Sequence, residues 1–283
     1  MRNRSCRKNK FDLPSMRNLW RVLGGYDALV EYNECALRQL MRKWDLSGLS
    51  DYKFRKFIVG QSAEVSIKLG NIDIGSYRQD IFRWYLIHPY GCVDNFVKEF
   101  KNDLKLFGLN INLDFNDKTT LEKLIAGLQE QHVTVSVEEY KILLDRYYHR
   151  YRNLLAHKLN RGEEEKIKTL YLKIDKEKIR EYYPSLTNAL SQPGILTFDD
   201  YTLCTANLKN ITDTLTTDIF HIIDWNKYDV SKMNHKQISK FLPNNPNRLR
   251  GSIRQYINAH YGPIADDGIV DILQNKFIHS NNG

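Results

Sequence analysis

The sequence predicts an all-α fold, and three observations carry the prediction. Apolar residues recur along most of the chain at the i, i+3, i+4 spacing that puts them on one side of a helix. Three of these runs open on a hydroxyl residue with an acid three positions later: Thr119-Thr-Leu-Glu122, Ser136-x-x-Glu139 and Thr197-x-x-Asp200. That pattern lets two side chains satisfy the free N–H groups of a helix start. Glycine and proline clusters separate the runs.

The elements follow in order. Residues 1–15 hold Arg2, Arg4, Arg7, Lys8 and Lys10 before the first acid, Asp12, and read as a basic arm ending at Pro14. Over 26–44 the residues Leu29, Val30, Leu37, Leu40, Met41 and Trp44 form an amphipathic helix, and Ser47-Gly48 stops it. A second helical piece, 51–69, precedes the breakers Gly70-Asn71 and Gly75-Ser76. A longer helix runs over 77–107, where Pro89 and Gly91 are expected to kink or divide it. Its second half, Val93, Phe96, Val97, Phe100, Leu104 and Phe107, has the spacing of one buried stripe.

A polar connection, 108–117, leads to a short helix over 121–131 and then to the helix of 137–158. There Tyr140, Leu143, Leu144, Tyr147, Tyr148, Tyr151, Leu154 and Leu155 make a regular stripe. The charged stretch 158–178 reads as a solvated face, Pro184, Pro193 and Gly194 mark loops, and a last long helix covers 197–224. Beyond it, 232–241 and 248–261 flank Leu242-Pro-Asn-Asn-Pro246 as two short helices that have the outline of a helix-turn-helix. The organisation expected is a basic arm and N-terminal helical extension (1–75), a helical bundle (76–225) and a small basic C-terminal helical appendage (226–283).

Composition sets limits on function. With 283 residues, 42% of them hydrophobic, the chain can fill a sizeable core. Lys plus Arg outnumber Asp plus Glu by 42 to 34, and the net charge of +8 suits polyanionic partners as well as plain solubility. Cys6, Cys35, Cys92 and Cys204 are too scattered for a zinc ribbon or a disulfide framework. No apolar run approaches a membrane span, and the basic start lacks a following apolar segment, so a soluble, cytoplasmic protein is expected. Strings of the G-x-x-x-x-G-K-[ST], H-E-x-x-H and G-x-S-x-G kinds are absent.

Chemistry concentrates in Tyr147-Tyr-His-Arg-Tyr-Arg-Asn-Leu-Leu-Ala-His157, which contains an R-N-x-x-x-H string of Arg152, Asn153 and His157. A fixed positive charge, an amide and an imidazole that titrates near neutrality can hold a phosphate and move a proton. A shuffled chain of this composition contains the string about 0.04 times. On a regular helix His157 lies about 115° from the centre of the apolar stripe, so it is not a core residue. Asn153 and His157 are four apart and share a face, whereas Arg152 is about 140° around from His157. Convergence of the three needs a curling Arg side chain, a helix that ends or distorts near Ala156, or a second subunit across this polar face. Arg254 and His260 repeat the residue types at one residue longer spacing in a less regular frame. His149, opposite the stripe, reads as solvated and as a secondary phosphate contact.

The R-N-x-x-A-H string at the end of an aromatic-rich helix resembles the signature of the HEPN superfamily, with its abortive-infection branch nearest. The order of elements over the middle half of the chain is similar as well, and the resemblance implies an antiparallel HEPN-like bundle. It further implies a metal-independent endoribonuclease of a toxin-antitoxin or phage-defence system, without cofactor, whose site is assembled across a homodimer. Arg152 and His157 would be catalytic with Asn153 in support. Arg150, Lys158 and Arg161 would join His149 in RNA binding, and Asp94 or Glu99 would be an acidic helper. An antitoxin or nucleotidyltransferase would be the regulatory partner. Two other readings compete: a non-catalytic scaffold that binds RNA or protein, and a DNA-binding regulator using 232–261.

Overall fold

The computed structural model describes residues 11–46, 51–70, 77–157, 161–233, 238 and 245–281, with 51, 52, 155–157, 161 and 281 described by backbone alone. Among these are ten α-helices, two 3-10 turns and no strand, the all-α fold that the periodicity predicts. The helices are α1 (Pro14–Leu46), α2 (Asp51–Glu64), α3 (Tyr77–Lys105), α4 (Thr120–Glu130), α5 (Glu139–His157), α6 (Arg161–Lys173), α7 (Lys176–Tyr182), α8 (Phe198–Phe220), α9 (Pro246–Tyr261) and α10 (Asp267–Asn281). No helix among the described residues is long and apolar enough to cross a membrane. The basic arm 1–10 lies outside the described residues.

The chain forms two compact units, each from non-consecutive stretches. Unit 1 comprises Met1–Arg21, Cys92–Ile142 and Leu208–Gly283, and unit 2 comprises Val22–Gly91 and Leu143–Asn207. Helices α1, α3, α5 and α8 each give residues to both units, so this division cuts across the three consecutive segments read from the sequence.

In unit 1 the buried stripe of α3 continues to Leu104 and Phe107, as its spacing predicts. Thr119 and Glu122 form the reciprocal capping box at the start of α4. Gly127 of α4 is required by close approach: a Cβ there would fall on the Asn112 carbonyl oxygen and 2.6 Å from Ile111 Cγ2. The C-terminal segment is bound into this unit. Phe107 meets Trp225 edge-on at 5.1 Å and Tyr261 at 5.5 Å, and the Asp229 N–H donates to the Leu106 carbonyl at 2.7 Å. Helix α9 buries Leu249, Ile253, Ile257 and Tyr261, one side of three turns. The guanidinium of Arg17 donates to the carbonyls of Ala259 and His260, satisfying acceptors at the C-terminal end of α9. Most of the first helix and the turn of the helix-turn-helix outline (234–237 and 239–244) lie outside the described residues.

Unit 2 takes α1 from Val22, and Leu23, Val30, Leu37 and Trp44 are its buried positions. The buried carboxylate of Asp27 accepts the Tyr201 hydroxyl proton at 2.8 Å, tying α1 to α8 within the unit. Trp44 packs edge-on against Phe54 of α2 at 4.9 Å. Thr197 and Asp200 cap α8 reciprocally, with the Thr197 N–H on Asp200 Oδ2 at 2.8 Å and the Asp200 N–H on Thr197 Oγ1 at 3.3 Å.

Three expectations are corrected. Helix α1 starts at Pro14, not near residue 26. Proline suits a first helical position because its missing N–H would be unpaired there anyway, and Leu13, Met16, Leu19 and Leu23 are buried beside it. Of the kink or division expected at Pro89 and Gly91, the division does not occur: helix α3 runs through both residues. Burial of Leu86, Tyr90 and Val93 around the proline offsets the lost hydrogen bond, which costs on the order of 3 kcal/mol. Ser136 does not cap α5: its hydroxyl and N–H both donate to the Asp218 carboxylate, at 2.6 and 2.8 Å, and the helix begins at Glu139. A charged acceptor outcompetes helix-end geometry.

Candidate active site

Helix α5 is held by its stripe. Within unit 2, Leu144, Tyr147, Tyr148 and Tyr151 are its buried positions, with Tyr147 set edge-on against both Tyr148 and Tyr151 at 5.1 Å. The Tyr148 hydroxyl donates to Asp200 Oδ1 at 3.0 Å, and the Tyr151 hydroxyl accepts the Gly194 N–H at 2.6 Å. Burial, then the nearby Asp200 carboxylate, pushes the Tyr148 hydroxyl far above its ordinary range, so it stays a donor. These anchors fix the rotation of α5 within unit 2 and so decide which residues face away from the core.

On that other side, two linked contacts form a chain of three side chains. Arg152 Nη1 donates to Asn153 Oδ1 at 2.9 Å, and Asn153 Nδ2 lies 3.3 Å from His149 Nδ1. A guanidinium only donates, so it holds the amide oxygen toward itself and turns the amide nitrogen toward the imidazole. His149 Nδ1 must then accept, which puts the proton of the neutral ring on Nε2. The Arg152 guanidinium thus meets its neighbour in sequence, Asn153. Its Nε is buried without a hydrogen-bond partner.

His149 is not solvated as expected: it is half-buried, with its ring 5.3 Å from Tyr90 in an edge-on contact. Asn153 is four residues from His149 and four from His157, so either imidazole can share its face. That symmetry was the available signal for His149. The helix runs unbroken to His157, whose side chain lies outside the described atoms, as does that of Arg161; Lys158 lies outside the described residues.

The remaining candidates have structural partners. Arg150 pairs with Glu163 at 2.7 Å, and Glu163 also holds Lys166 at 2.7 Å, a clip between α5 and α6. The hydrogen bond from Lys166, followed by that from Arg150, holds the Glu163 carboxyl below its usual range. Asp94 accepts the Thr120 hydroxyl at 2.5 Å, and Glu99 accepts the side-chain amides of Asn18 and Asn95 at 2.9 Å. Both acids belong to unit 1, whereas Arg152, Asn153 and His149 belong to unit 2. Arg254, in the second Arg/His string, pairs with Asp267, and Arg250 pairs with Asp267 and Asp271. Among the described residues no cluster of three His, Cys, Asp or Glu side chains is placed to hold a metal.

Beside α5, unit 2 opens a groove of about 830 Å³ between α3, α5, α6 and the Pro193-Gly194 turn. Trp84, 70% exposed, stands in it. No family model matches the chain, and no match was found among curated proteins or solved structures. The HEPN resemblance therefore rests on the R-N-x-x-x-H string and the order of helices.

Proposed function

We propose that this protein is a metal-independent endoribonuclease of HEPN type, acting as a homodimer in toxin or phage-defence chemistry in the cytoplasm. The observation that carries the reading is the Arg152–Asn153–His149 chain on the side of α5 turned from its buried stripe. A cation and an oriented amide then stand five and four residues before His157 on the same helix, which supports the reading.

In the proposed reaction His157 removes the proton from a ribose 2'-OH, and the freed oxygen attacks the adjacent phosphorus. The bond to the 5'-oxygen breaks, and that oxygen takes a proton from a protonated imidazole, the same His157 or that of the second copy. The products are a 2',3'-cyclic phosphate and a 5'-OH. Arg152 stabilises the charge that grows on the phosphoryl oxygens. Asn153 orients the site by holding Arg152. The need for a 2'-OH makes RNA the substrate and leaves DNA uncut.

The ends of the cleaved RNA test this reading. Incubation with EDTA should leave the rate unchanged, and the products should carry 2',3'-cyclic phosphate and 5'-OH ends. Activity lost on chelation, or 3'-OH ends, would overturn it.

A further inference from the structure

We infer that the groove between α3, α5 and α6 is a nucleobase subsite in which Trp84 stacks on one unpaired base of the RNA. The inference rests on the ribonuclease reading for its substrate, but its geometry is independent of the chemistry. A tryptophan 70% exposed on a helix leaves a large apolar surface in water. Its neighbours do not cover it: Trp84 borders this groove and also a second hollow of about 390 Å³ next to Leu40, Tyr77 and Ile81. An indole open to two hollows is a stacking platform.

The rest of the groove fits a base with its phosphate. Ile87, Leu154, Ile167 and Pro193 supply an apolar floor, and about 830 Å³ lies in the range of small-ligand sites, roughly 300–1,000 Å³. Arg83 and Lys168 line it together with Asp80 and Glu164, so it offers cations for phosphate and carboxylates that can accept from an exocyclic amine. The cations are held loosely. Arg83 pairs with Asp80 at 3.2 Å and Lys168 with Glu165 at 2.7 Å, surface pairs of little net strength that can be exchanged for a phosphate. Leu154 also sits three residues before His157, so a base in the groove lies one helical turn from the proposed chemistry along α5. An amphipathic protein helix would value the floor and the indole as well, but the two cations and two carboxylates among so few lining residues match a base with its phosphate better than an apolar helix face.

The test uses the full chain and a fluorescein-labelled 2'-O-methyl oligoribonucleotide, which cannot be cut because the attacking oxygen is blocked. Anisotropy should show that replacing its bases by abasic sites weakens binding by about tenfold, as expected for loss of base–aromatic stacking. W84A should lose that discrimination, and W84F should keep most of it. Equal binding of intact and abasic strands by the parent, or unchanged discrimination in W84A, would overturn the subsite. So would tryptophan emission that responds to an amphipathic helical peptide and not to the oligonucleotide. A parent that discriminates through Trp84 yet cuts no RNA keeps the subsite and sinks the ribonuclease reading. RNA cut by W84A with parental rate and sequence preference does the reverse.

Discussion

Replacing Asp200 by alanine should destabilise the protein by an amount that the structure allows to be worked out. The carboxylate has no exposed surface and accepts the Tyr148 hydroxyl at 3.0 Å, the Ser191 N–H and hydroxyl at 3.1 and 2.6 Å, and the Thr197 N–H and hydroxyl at 2.8 Å each. Ser191 and Thr197 are half-buried and can turn toward water when the acceptor goes. Tyr148 is fully buried and cannot. Its stranded hydroxyl costs about 1–3 kcal/mol, and losing the half of the α8 capping box in which Asp200 accepts the Thr197 N–H costs about 0.5–2 kcal/mol. A loss of about 1.5–5 kcal/mol follows, read from the urea midpoint at neutral pH with the slope unchanged. Because Y148F removes the same hydrogen bond from its other end, the double variant should lose less than the two single variants together. A loss below about 1 kcal/mol in D200A, or strict additivity with Y148F, would refute the reasoning.

Three further outcomes follow from particular contacts. G127A should destabilise unit 1 by about 1–3 kcal/mol or more in thermal unfolding, because the new methyl lands on the Asn112 carbonyl; G25A, where nothing lies within 4 Å, should not. Glu163 has a lowered carboxyl pKa in the folded state, so its contribution is present above the unfolded glutamate value and lost as pH falls through the folded one. E163Q should therefore differ from the parent near neutrality by under about 1 kcal/mol and converge with it in acid; a gap that widens on acidification would contradict the pairing. N153D should move the neutral His149 proton from Nε2 to Nδ1, since a carboxylate only accepts, and nitrogen chemical shifts of the ring would report the change. An Nδ1 proton already present in the parent would show the hydrogen-bond chain to be misassigned.

The parts of this fold that were legible in the sequence are those decided locally. The capping boxes at Thr119 and Thr197 form because each pattern finds its partner within one turn. Ser136 carries the same pattern and fails, because Asp218, 82 positions away, is a stronger acceptor. Pro89 looks like a break when read alone; the buried side chains around it keep α3 continuous. At the candidate site, the off-core side of α5 was readable from the stripe. The contact of Asn153 with His149 was not, since His149 and His157 stand at equal spacing from it in the sequence. The exposure of Trp84 was also hidden, because its neighbours on α3 continue a normal apolar pattern.

The central claim is that α5 carries the groups that cut RNA without a metal. Its most direct test is the rate of RNA cleavage by R152A and H157A proteins beside the parent, in EDTA and at matched concentration and fold stability. Each variant should lose activity by about 100-fold or more, as when a general acid–base group or a charge-stabilising donor is removed. Cleavage by either variant at the parental rate would contradict the claim.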